Sequence, residues 1–132
     1  MRHHAAEQWE LRLDEAMREL DLFLEEKYKG QYILHPARPL QGKTANPSHD
    51  GLFGIHANFT LGLGSEIGKG YIVDIRLSTL EHVSDDVRDE IENVARQKLL
   101  ELLPKYFPNS ELNIIKDGPV LKIYGDLRLG RA

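Results

Sequence analysis

Between residues 53 and 63 every second position is apolar: Phe53, Ile55, Ala57, Phe59, Leu61 and Leu63 alternate with Gly54, His56, Asn58, Thr60 and Gly62. Wound into a helix, these side chains would scatter around the axis; on a pleated strand they share one face, so the run predicts a half-buried strand. A glycine-rich connection from Gly64 to Gly70 leads to a second alternating run. There Tyr71, Val73, Ile75 and Leu77 point one way and Asp74, Arg76 and Ser78 the other. Two such runs joined by glycines predict an antiparallel hairpin.

Helical periodicity brackets this hairpin. From Ala6 to Lys29, Trp9, Leu13, Met17, Leu20, Phe23 or Leu24, and Tyr28 recur three or four apart, with Gly30 placed to end the helix. Leu11 and Leu22 lie outside that stripe and widen the apolar surface. A second helix is expected from about Asp85 to Leu103, capped by Ser84, supported by Asp85 and Asp86 at its positive end, and ended or kinked by Pro104. Two short strands follow, Glu111–Lys116 and Pro119–Leu129, divided by the hairpin signal Asp117-Gly118. The chain's 132 residues suit one domain. The order helix, strand, strand, helix, strand, strand predicts an α+β fold: a four-stranded, largely antiparallel sheet with both helices on one face. His56, Asn58, Thr60, Asp74, Arg76 and Ser78 then occupy the other.

Residues 30 to 52 break every pattern. Pro36, Pro39 and Pro47 with Gly30, Gly42 and Gly51 leave room only for a short strand at Gln31–His35. A connection this long in a small domain is commonly a functional element, which draws attention to its polar residues.

Composition excludes several classes of function. The chain has no cysteine, hence no disulfide, thiolate metal site or cysteine nucleophile. Residues 5 to 29 carry eight acids (Glu7, Glu10, Asp14, Glu15, Glu19, Asp21, Glu25, Glu26) against four bases (Arg12, Arg18, Lys27, Lys29), and the remainder is balanced. An acidic first helix without a compensating basic cluster argues against nucleic acid and against a membrane surface as partners. Residues 1 to 10 lack the apolar run of a signal peptide, which predicts a cytoplasmic protein.

Candidate chemical motifs are weak. Ala37–Thr44, ARPLQGKT, has the outline of a phosphate-binding loop, but Pro39 removes an amide and no helix is predicted after Thr44 to add its dipole. The glycines at 62, 64, 68 and 70 read as a hairpin tip rather than an anion nest. His35, His49, Asp50, His56 and Asp74 have no metal-ligand spacing, and no Gly-x-Ser-x-Gly elbow supports a hydrolase built on Ser48 or Ser78. No cofactor is implied.

Two functional readings remain. The first is a non-enzymatic binding or assembly module that self-associates, as a dimer, through its open sheet face or acidic helix; a protein or peptide partner belongs to the same reading. The second is a small enzyme or a protein binding a small carboxylate or phosphate. Its site would gather His35, Arg38, Lys43, His49 and Asp50 from the long segment with His56, Asn58, Asp74 and Arg76 from the polar sheet face. Arg38 would then clamp the anion, His56 act as base and Asp74 orient it.

Overall fold

A computed structural model of the protein describes residues 4–44, 50–60 and 70–125. Its elements follow the expected order: α1 (His4–Lys27), β1 (Phe53–Thr60), β2 (Gly70–Leu77), α2 (Asp85–Tyr106), β3 (Leu112–Asp117) and β4 (Val120–Gly125). The strands form one antiparallel sheet in the order β1-β2-β4-β3. β4, the last strand in the chain, inserts between β2 and β3, and it buries Leu121 and Ile123 completely. An interior strand needs apolar side chains on its covered face, and this short one supplies them.

Both helices cover the same side of the sheet. The α1 stripe of Trp9, Leu13, Met17, Leu20 and Leu24 meets Ile91, Leu99, Leu102 and Leu103 of α2 above Phe53, Ile55, Tyr71, Val73, Ile114, Leu121 and Ile123. Trp9 stacks between Tyr71 and Phe107, with ring centroids 5.0 Å and 4.3 Å away. Glu19 accepts from Lys105 and from the Tyr106 hydroxyl, both at 2.8 Å, and Lys98 lies over the Phe23 ring. These contacts fix α1 and α2 antiparallel to one another.

Four local expectations are corrected. α1 ends at Lys27, and the left-handed Gly30 (φ +79°) turns the chain three residues later rather than capping the helix directly. α2 passes through Pro104 to Tyr106, because the amide that proline lacks would have served only the carbonyl of Leu100, on the solvent side of the last turns. Asp117 pairs with Val120, so the β3–β4 turn is Gly118-Pro119; Gly118 at φ +63° followed by the negative φ of proline gives the sense of a type II′ turn. Gln31–His35 forms no strand, although the His35 amide does bond the Ser78 carbonyl at 2.7 Å. In addition Phe59, on the helix side of β1, lies beyond the helices and is 48% exposed, held edge-on to Tyr71.

Candidate functional site

The most unusual chemistry in the molecule is a set of buried charges where α1, the 30–52 segment and the start of β1 meet. Asp21 and Glu25 stand one turn apart on α1, at the flank of its apolar stripe, and both are buried. The Glu25 carboxylate accepts from the amides of Leu52 (3.0 Å) and Phe53 (2.8 Å), the entry to β1. Its approach requires Gly51: at φ +71° this residue is in the left-handed region, and a β-carbon there would sit 2.5 Å from a Glu25 oxygen.

Asp50 and Arg38 tie the long segment to the same point. One Asp50 oxygen accepts from the Gly42 amide (3.2 Å), the Thr44 amide (3.0 Å) and the Thr44 hydroxyl (2.9 Å). Residues 42–44, the end of the phosphate-loop look-alike, therefore wrap a carboxylate belonging to the protein itself. Arg38 donates to the carbonyls of Gly51 (3.0 Å), Asp50 (3.2 Å) and Phe53 (3.1 Å). All but the Thr44 hydroxyl bond give a backbone group, in the irregular segment or at the entry to β1, a partner it would otherwise need from a sheet or helix.

Asp21 completes the cluster and is its exception. The side chain is 2% exposed, yet its Oδ2 has no hydrogen-bond partner among the described residues. Burial, reinforced by the nearby Glu25 and Asp50 charges and only partly opposed by Arg38, pushes its carboxyl up to about 8. Glu25 is also raised by burial, although the two amides it binds pull it back. Asp21 is thus a neutral acid at physiological pH, its proton held by burial.

The candidate residues do not meet at one place. Arg38 and Asp50 meet in the junction, whereas Asp74 and Arg76 pair with each other on β2 at 2.9 Å, and His56 stands opposite Asp74 across the β1–β2 ladder. His56, Asn58 and Arg76 are exposed on the sheet face away from the helices. Lys43 is exposed, and His49 lies outside the described residues. His35 takes a third position. Its Nδ1 accepts from the Ala37 amide, and it lines an open cleft of about 250 Å³ with Ala37, Arg38, Leu77, Ser78 and Thr79.

Asp21 and Glu25 were not among the residues singled out from sequence, and a signal for them existed: both sit on the border of a stripe whose neighbours are large and apolar, where an acid must be buried or nearly so. Lys122 was also missed. It is 1% exposed on the face away from the helices, opposite Ile72 on β2 and Ile115 on β3, and alternation on β4 places it there. Among the described residues no group of three His, Cys, Asp or Glu side chains is arranged to hold a metal ion, and no helix is long and apolar enough to cross a membrane.

Comparison with known proteins finds relatives without naming their chemistry. A protein of Borreliella burgdorferi, itself described as "Uncharacterized protein", is 40% identical over 107 residues, covering 81% of this chain and 84% of the relative. No solved structure matches. Residues 4–125 match a protein family carrying the description "Uncharacterised protein", and the chain belongs to that family.

Proposed function

We propose that the protein is a binding and assembly module that self-associates and acts through protein contacts rather than through a catalytic centre. The observation that carries this reading is how the charged groups of the long segment are used. Arg38 spends its donors on three backbone carbonyls and Asp50 gathers the 42–44 turn, so both serve the order of the chain. Asp74 and Arg76 likewise satisfy each other. Of the large apolar side chains that stand in solvent, Leu11 and Leu22 of α1 and Leu100 of α2 share the helix layer, while Ile33, Leu40, Phe59 and Leu80 lie on the loops and β1. Apolar groups clustered on one surface mark an interaction site more readily than scattered single ones do.

Light scattering and sedimentation of the purified chain over rising concentration test this. A concentration-dependent dimer is expected; a monomer at the highest attainable concentration refutes it.

A second reading is supported by the cleft beside His35. Its imidazole and the Ser78 hydroxyl, beside the positive charge of Arg38, suit a small carboxylate or phosphate. A thermal-shift panel of such anions, nucleotides and divalent metals checks it, because a ligand that binds only the native state raises Tm by linkage. A saturable rise that disappears in His35→Ala supports the cleft, and a flat panel removes it.

A further inference from the structure

The outer face of α1 carries a pattern that is complementary to itself. At 100° per residue Leu11, Glu15, Arg18 and Leu22 fall within an arc of about 60°, opposite the core positions Leu13, Leu20 and Leu24. Leu11 is 61% and Leu22 51% exposed, and Glu15 and Arg18 are exposed and make no ion pair among the described residues. Spacings of four, three and four residues are those of a helix–helix seam.

We propose, building on the assembly reading above, that this stripe docks onto the same stripe of a second copy of the chain, with the two α1 helices antiparallel about a two-fold axis. The leucine pair and the charged pair share one centre, between Ala16 and Met17. A two-fold axis at that point therefore sets Leu11 against Leu22 of the second copy and Glu15 against its Arg18, and each contact occurs twice, as an isologous interface requires. The leucines seal both ends of a seam about 16 Å long, and the charges cross in the middle. In parallel alignment Glu15 would face Glu15 and Arg18 would face Arg18, so charge selects the antiparallel arrangement.

The same pairing reconciles the acidity of α1 with self-association, since it brings the exposed Arg18 of each copy onto Glu15 of the other. α2 adds to the surface. Its cross-links to α1, Lys98 with Phe23 and Lys105 with Glu19, bracket Leu100 and bring it level with Leu22. A seam this short buries little area, so the dimer is a reversible one.

The experiment measures the dimer dissociation constant of the full chain by sedimentation equilibrium for the wild type, Glu15→Arg, Arg18→Glu, the double exchange, Leu11→Ser/Leu22→Ser, and Asp74→Ala/Arg76→Ala. Circular dichroism verifies that each variant keeps its helices. Each single exchange is expected to weaken the dimer about tenfold, because it sets like charges together twice. The double exchange restores it to within about threefold, which a merely structural role for either residue does not explain. The leucine variant is monomeric, and the sheet-face variant matches the wild type. A wild-type monomer overturns the assembly reading together with this one. A wild-type dimer indifferent to the α1 variants, not restored by the double exchange, or broken by the sheet-face variant overturns the α1 seam and leaves self-association standing.

Discussion

Replacing Asp21 by Asn removes a buried oxygen that has no partner among the described residues, and its effect on stability depends on pH in a way that can be worked out. The carboxyl titrates near 3.8 when exposed and near 8 in the folded protein. Below pH 4 both states hold the proton and the group adds no pH dependence. As pH rises from 4 to 8 the unfolded chain releases the proton while the folded one keeps it, so the wild type loses stability steadily; above pH 8 both have released it and the loss levels off. Each pH unit in that window costs about 1.4 kcal/mol, an upper limit of about 4 kcal/mol at pH 7. Arg38 and the other polar groups of the junction soften a buried charge, which brings the expected figure to about 1–3 kcal/mol. Asn carries no titrating proton and occupies the same volume. Thermal unfolding of both proteins from pH 4.5 to 8.5 reads the difference: near pH 4.5 the two Tm values are close, and Asp21→Asn becomes progressively the more stable as pH rises. Parallel Tm profiles across the whole range would refute a buried, neutral Asp21.

Other perturbations of the junction have equally definite outcomes. Gly51→Ala combines a left-handed backbone with a β-carbon at 2.5 Å from Glu25, and denaturant unfolding is expected to show a loss of about 2 kcal/mol or more. Glu25→Ala leaves the Leu52 and Phe53 amides unsatisfied in a buried place, for a loss of about 2–4 kcal/mol and faster hydrogen exchange at both amides; unchanged exchange would show that they have other partners. Trp9→Ala opens a cavity between Tyr71 and Phe107 and costs about 3–5 kcal/mol in the same assay. Asp74→Ala breaks only an exposed pair within one strand, so its effect on Tm stays below about 1 kcal/mol equivalent.

The relation between sequence and structure is clearest at the elements with strong periodicity. Alternation from Phe53 to Thr60 and from Tyr71 to Leu77, and the 3.6-residue stripe of Trp9, Leu13, Met17, Leu20 and Leu24, were sufficient for the α+β order and for which side of each element is buried. These patterns are local: one window of chain contains the whole signal. Gly118-Pro119 was misplaced by one residue because Asp-Gly and Gly-Pro are both turn pairs, and only the pairing of Asp117 with Val120 decides between them. The helix through Pro104 shows the converse, a local breaker overruled by the buried Leu102, Leu103 and Phe107 on either side of it.

The candidate site was legible only in part, and the reason is the distance in sequence between its members. Arg38 and Asp50 were visible as polar residues in a long irregular segment, but their partners are backbone atoms, which carry no letter in a sequence. Glu25 reaches Phe53 across 28 residues, and Asp21 shares its burial with Asp50 across 29. Composition and periodicity by themselves determined that this chain makes two amphipathic helices and two hairpins with an acidic first helix. Tertiary structure alone decided that β4 enters the middle of the sheet, that the long segment closes over α1, and that an aspartate on the flank of that helix loses its water and keeps its proton. Those outcomes depend on desolvation and on contacts between distant parts of the chain, and both exist only once the fold is formed.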